Sequence, residues 1–286
     1  MQINKQTIGI VIAIVSALVS WLNHERPSPP KQPPAHQQQP AQSAPAKQAP
    51  AKPSQANPAK DVEKVDLVNS AKAVGHRDFA NAKKVLPEVF AGLEEDFYCG
   101  CHYSGKKMDL RSCGYVARKS QTRAERLEWE HVVPAWVLGH QRQCWQQGGR
   151  DNCTDADATF SMAEGDLNNL VPSVGEVNGD RSNYPYSAWT STPTPIYGSC
   201  KTIVDFQLKR AQPREEVRGR AARITLYMHA RYKLDMSSQD RQLMCGWAKQ
   251  YPVDAWEKAR DKRIVRLQGE GNPLVSEPQR LASMCP

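Results

Sequence analysis

The sequence predicts an α+β domain, mainly helical in its surroundings, stapled by disulfides and built around a strand–strand–helix unit. Three observations point there. Phe79, Ala82, Val85, Val89, Phe90 and Leu93 recur at near three-to-four spacing within residues 77–96, as in an amphipathic helix. Residues 127–182 hold two short strand-like segments and then a helix start. Eight cysteines (Cys99, Cys101, Cys113, Cys144, Cys153, Cys200, Cys245 and Cys285) all lie in the C-terminal two thirds of the chain.

The 77–96 helix contains Pro87, which should kink or divide it. A second helix is expected from Pro213, with Glu215 and Glu216 at the positive end of its dipole, to about Tyr232. It carries Arg214, Arg218, Arg220, Arg223 and Arg231. A solvated charged face explains such a run, and phosphate contact is the functional alternative.

An even number of cysteines in one stretch behind an export signal reads as disulfides. A zinc site is the competing reading, weakened by the lack of paired Cys-x-x-Cys knuckles. Cys99 and Cys101 sit too close to pair comfortably with each other. Cys144 and Cys153 bracket a turn-rich Gln-Gln-Gly-Gly-Arg-Asp-Asn stretch and form a plausible local bridge.

The export signal is residues 8–22, an uninterrupted apolar run after Lys5. Fifteen residues suit a signal-peptide core and are short for a membrane span. Ser20-Trp21-Leu22 is a poor cleavage site, so residues 1–26 are either a signal peptide or an uncleaved membrane anchor. Either way the remainder is exported, to the periplasm or beyond, or held at the inner membrane through residues 8–22 alone. Residues 27–60, with ten prolines and no acid, cannot bury a core and read as a semi-extended linker. The folded domain is then 61–286.

Net charge is +8, but residues 1–60 hold six Lys/Arg against Glu25 alone. The folded part is only mildly basic, so an anionic partner would need a face made basic by clustering.

The chemistry concentrates in 127–182. Leu127–Val133 alternates like a strand that Pro134 stops. Neighbours on a strand face opposite ways, so Glu130 and His131 can share a site only near its end. Asp166–Pro172 is the second strand candidate. Ser173 and Glu176 fit a capping box for a following helix, with Asn178 in its second turn and Arg181 beyond. Gly175 and Gly179 would let a backbone or a phosphate come close. Phosphodiester hydrolysis needs a base for water, a cation for developing charge and a guanidinium for the phosphate. Glu130 and Asn178 offer hard oxygens suited to Mg²⁺, which binds few protein groups. His131 has an ordinary pKa near working pH and can be the base. Arg150, on the stretch a Cys144–Cys153 bridge would pin, can hold the phosphate.

These stretches resemble the bacterial endonuclease I family, periplasmic and secreted DNases with a ββα-metal (His-Me finger) site. The resemblance rests on Phe97-Tyr98-Cys99-Gly100-Cys101, Ser112-Cys113-Gly114-Tyr115, Arg123-Ala124-Glu125-Arg126, Glu128-Trp129-Glu130-His131-Val132-Val133-Pro134-Ala135-Trp136, Cys144-Trp145-Gln146, Gly149-Arg150-Asp151-Asn152-Cys153 and Gly175-Glu176-Val177-Asn178-Gly179-Asp180-Arg181-Ser182-Asn183. It implies a monomeric nuclease with little sequence preference, acting on DNA and often on RNA, and leaving 5′-phosphates. It implies one Mg²⁺ on Glu130 and Asn178, with Mn²⁺ or Ca²⁺ as substitutes, His131 as general base and Arg150 on the scissile phosphate. Glu164 and Arg181 take supporting or phosphate-binding places. Asn168 departs from the pattern, standing where many relatives would carry histidine.

Two other classes compete. A non-catalytic DNA-binding module would not need Glu130, His131 and Asn178 together. A cell-wall hydrolase, suggested by export and the long linker, would be indifferent to chelators.

Overall fold

A computed structural model describes residues 67–189 and 193–285, all within a unit spanning Gln55–Pro286. The expected N-terminal signal or anchor and the 27–60 linker lie outside the described residues. No helix among the described residues is long and apolar enough to cross a membrane.

The first helix, α1, runs Phe79–Val89 and is shorter than expected at both ends. Asp78 caps its start, accepting from the Asn81 amide at 2.7 Å. Pro87 falls in the last turn, where it removes one hydrogen bond to the preceding turn, and the helix still closes with the Phe90 amide donating to the Leu86 carbonyl. Its buried stripe, Ala82, Val85, Leu86 and Val89, packs with Leu167, Leu170, Ile264 and Leu267.

Among the described residues, three two-stranded antiparallel sheets follow. His102–Ser104 (β1) pairs with Lys107–Asp109 (β2). Leu127–His131 (β3) pairs with Leu170–Val174 (β4), Leu127 opposite Val174 and His131 opposite Leu170. Ile203–Asp205 (β5) pairs with Arg210–Gln212 (β6). Before β3 stands a short turn of helix, Gln121–Ala124 (α2). Between β3 and β4 come Ala135–Gly139 (α3), Gln143–Ala156 (α4) and Ala158–Glu164 (α5). Gly175–Arg181 (α6) leaves β4 directly. The long helices Arg218–Arg231 (α7), Ser238–Gln250 (α8) and Ala255–Gln268 (α9) form the C-terminal part.

The strand–strand–helix order is therefore present as β3, β4 and α6, with local corrections. β4 begins later than expected because Asp166 accepts from the Asn168 amide at 2.9 Å and folds Leu167–Asn169 into a 3-10 turn. The Ser173–Glu176 capping box does not form. Ser173 sits inside β4 opposite Glu128, and Val174 precedes the helix without a side-chain cap. Glu176 instead accepts the Arg118, Lys119 and Ser120 amides and the Tyr115 hydroxyl. Four donors satisfy that carboxylate better than one cap would. The glycines of α6 make room for α2: a Cβ at Gly175 would lie 2.5 Å from the Arg123 carbonyl, and at Gly179 2.1 Å from the Arg123 guanidinium.

The cysteines form four disulfides, Cys99–Cys200, Cys101–Cys113, Cys144–Cys153 and Cys245–Cys285, and none is free. The zinc alternative therefore falls. The Cys144–Cys153 bridge is as expected, but the stretch it spans is not a turn-rich loop. It is helical on both sides of a break at Gly148 and Gly149, where Gly149 has φ +71°.

Four of the five arginines in 214–231 are engaged with carboxylates, Arg214 with Glu95, Arg220 with Asp254, Arg223 with Glu257 and Arg231 with Glu270, while Arg218 donates to the Pro213 carbonyl. Arg223 is buried. Arg223 thus ties α7 to α9 from within the core, whereas the side chains of Arg231 and its partner Glu270 are exposed, as a solvated charged face predicts.

Candidate active site

A cavity of about 880 Å³ opens over β3 and α6, lined among others by Phe79, Lys83, Lys84, Lys106, Arg123, Glu128, Glu130, His131, Arg150 and Asn178. Four of the residues singled out from sequence, Glu130, His131, Arg150 and Asn178, thus meet on one surface. The strand-end condition is satisfied: β3 stops at His131, and both Glu130 and His131 line the cavity.

His131 is 7% exposed. Its Nε2 lies 2.8 Å from the main-chain carbonyl of Glu164, so Nε2 carries the hydrogen and donates it. The other ring nitrogen, Nδ1, then has a free lone pair and no protein partner among the described residues, and it is not sealed from solvent. The ring packs 4.6 Å from that of Phe79. Burial pushes His131 down to about 3, and the positive charge of Arg150 adds to the effect. The pKa is thus not near working pH as expected. The surroundings secure the neutral ring instead.

Glu130 is buried. Its Oε1 accepts from Tyr98 Oη at 2.7 Å and from Arg181 Nη1 at 2.8 Å. Its Oε2 takes no protein hydrogen bond among the described residues and is not sealed away. Burial pushes the Glu130 carboxyl up, while Arg181 and the Tyr98 hydroxyl pull it back. Tyr98 itself is held well above its ordinary value by burial, so it remains a donor.

Arg181 lies beneath the cavity. Besides Glu130 it donates to the carbonyls of His131, at 2.8 Å, and of Val132. Its side chain is 2% exposed, so it ties down the end of β3 and reaches no phosphate from there. Arg150 is the opposite case, with a side chain 43% exposed. Its Nε donates to Glu164 and its guanidinium lies 5.4 Å from the Phe79 ring, leaving both terminal amino groups for the cavity. Glu164, buried, also accepts from Thr154 Oγ1 at 2.9 Å.

Asn178 stands on α6, and its Nδ2 donates to Glu128 Oε2 at 3.0 Å. That bond sets the amide so that the carbonyl oxygen is the group left for a ligand. Glu128 is in turn gripped by Arg123 and Arg126. Sequence reasoning did not assign Glu128, although alternation along β3 places it on the face of Glu130. It also gave no site role to Phe79, read only as part of a helical stripe, or to Tyr98, noted only within one of the matching stretches.

The donor set suits a small hard cation. It comprises one carboxylate oxygen of Glu130 without a protein partner and one amide oxygen of Asn178. Among the described residues no group of three or more His, Cys, Asp or Glu side chains is arranged to hold a metal. A softer or tetrahedral ion would ask for such a group, whereas Mg²⁺ retains most of its waters.

Residues 81–279 match the family model described as Endonuclease I. The chain belongs to the endonuclease I family. A periplasmic deoxyribonuclease of Aeromonas hydrophila is 50% identical over 204 residues, covering 70% of this chain and 85% of the relative. An extracellular deoxyribonuclease of the same organism is 50% identical over 204 residues, covering 70% and 89%. Endonuclease-1 of Buchnera aphidicola subsp. Acyrthosiphon pisum is 41% identical over 202 residues, covering 69% and 80%. The span matched to the endonuclease I family contains every cavity residue discussed above except Phe79.

Proposed function

We propose that this chain is an endonuclease that hydrolyses phosphodiester bonds in DNA without strict sequence preference, in the periplasm or outside the cell. The observation that carries the reading is His131: its Nε2 is tied to the Glu164 carbonyl, and its neutral Nδ1 opens on a cavity with Glu130, Asn178 and Arg150. The family and the names of the relatives support a deoxyribonuclease. Periplasmic and extracellular relatives, with four disulfides here, support an oxidising compartment.

His131 Nδ1 takes a proton from a water, whose oxygen forms a bond to phosphorus as the bond to the 3′-oxygen breaks. The 3′-oxygen takes a proton from solvent, leaving a 5′-phosphate on the other fragment. The terminal amino groups of Arg150 hold the non-bridging oxygens, and Glu164 fixes the guanidinium from behind. Glu130 Oε2 and the Asn178 carbonyl would hold Mg²⁺, with Mn²⁺ or Ca²⁺ as substitutes; when bound, the ion supplies positive charge for the developing phosphate and leaving-group charge. Glu128 orients Asn178, and Arg181 with Tyr98 orients Glu130.

The test is nicking of supercoiled plasmid, beside an RNA substrate, with and without chelator, for the wild-type chain and His131→Ala. Chelator-sensitive nicking lost in His131→Ala supports the reading. Nicking that survives both chelator and substitution overturns the site.

A further inference from the structure

The cavity carries five cations against two carboxylates. Both carboxylates are already engaged by arginines, Glu130 by Arg181 and Glu128 by Arg123 and Arg126. Of the cations, Arg123 is tied to Glu128 and Arg150 to Glu164. Lys83, Lys84 and Lys106 have no carboxylate partner among the described residues, and all three are exposed. Lys84 donates only to the Asn81 side-chain oxygen, at 2.6 Å.

These lysines are not scattered around the rim. Lys106 sits at the start of β3, where its carbonyl accepts from the Leu127 amide at 2.9 Å. Lys83 sits at the other end: its ammonium lies 4.5 Å from the Phe79 ring centroid, and that ring packs on His131, the last residue of β3. Four residue steps at about 3.3 Å place the two ends of the strand ~13 Å apart. One strand of a duplex carries a phosphate for each ~3.4 Å of helix axis, so a nucleic acid lying over β3 presents more than one phosphate to it.

The geometry points to a phosphate track laid along β3, in which Lys83 with Lys84 at the His131 end and Lys106 at the far end hold phosphates adjoining the one at His131. It rests on the nuclease reading above and deepens it: the preferred substrate is a chain long enough to bring phosphates beyond the scissile one to both lysine clusters. A dinucleotide, with a single phosphate, engages neither cluster.

The test uses the full chain in a His131→Ala background for binding and the wild-type background for cleavage. Lys106→Gln and the double variant Lys83→Gln/Lys84→Gln are compared with Lys262→Gln, which removes the same charge from an exposed site on α9 outside the cavity. Binding of a duplex is followed against salt. The track predicts a log–log slope shallower by about 0.9 for each lysine removed that contacts a phosphate, and no change for Lys262→Gln beyond its effect on net charge. Cleavage of oligothymidylates from two to eight nucleotides should rise steeply until phosphates reach both clusters and then level off, with a shallower rise in each cavity variant. Slopes and length profiles indistinguishable from those of Lys262→Gln overturn the track while leaving the nuclease reading intact. Wild-type chain that shows the binding slopes yet cleaves no DNA supports the track and overturns the proposed activity.

Discussion

The main-chain carbonyl of Glu164 accepts the Nε2 hydrogen of His131 at 2.8 Å, while the carboxylate of the same residue grips Arg150. One buried residue at the end of α5 therefore fixes both the imidazole and the guanidinium. Its two roles are separable, because a side-chain substitution removes only the second.

Glu164→Gln should keep the His131 contact and loosen Arg150. A charge-assisted hydrogen bond is worth about 1.5–3 kcal/mol, so kcat/KM should fall by roughly 10–100-fold, mostly through KM. Steady-state kinetics on a fixed-length duplex measures this. An unchanged KM would show that Arg150 needs no support from Glu164.

His131→Ala should lower the cleavage rate by at least 10²–10⁴-fold, the usual range for a positioned general base, with duplex affinity preserved. Single-turnover cleavage and binding measured on the same preparation separate the two effects. Retained turnover would remove His131 from the mechanism.

Arg181→Met should destabilise the fold strongly, because it leaves the buried Glu130 carboxylate without its cation and frees the carbonyls of His131 and Val132. Breaking a buried pair in this way typically costs about 3–5 kcal/mol. Urea unfolding reads it. The double variant Arg181→Met/Glu130→Gln should recover part of the loss, since the stranded charge goes with its partner.

The disulfides should contribute unequally. Cys245–Cys285 closes a separation of 40 residues and Cys144–Cys153 one of 9. In the chain-entropy account the longer loop stabilises by about 1 kcal/mol more. Paired Cys→Ser variants at each bridge, compared by denaturant midpoint, check the order. The shorter bridge spans the helix break that carries Arg150, so its loss should depress activity more than stability.

Acid stability should depend on Glu270. His76 and then Arg231 hold its carboxyl down at about 2. A depressed carboxylate pKa favours the folded state above the unfolded value of about 4.3 and loses that contribution as pH falls toward the folded value. Melting temperature should therefore fall between about pH 4.5 and 2 for this reason, and Glu270→Gln should flatten that part of the curve. Identical profiles for both proteins would refute the assignment.

Much of the candidate site was legible in the sequence because it is local. Glu130 and His131 are neighbours, a proline follows the strand, and Asn178 lies one helical turn beyond the start of α6, so their combination, together with the resemblance to the family, nominates them. The Cys144–Cys153 bridge was legible for the same reason, being close in sequence. What tertiary structure alone decided is what each group faces. Whether Ser173 caps a helix depended on Glu176 finding four donors from residues 115–120. Whether Arg181 meets phosphate or carboxylate depended on its burial beside Tyr98 and Glu130. The displacement of the His131 pKa to about 3 arises from burial and from Arg150, nineteen positions away. Residue type and spacing determine which chemistry is on offer; desolvation and the partners brought in by long-range packing determine which atoms remain to perform it.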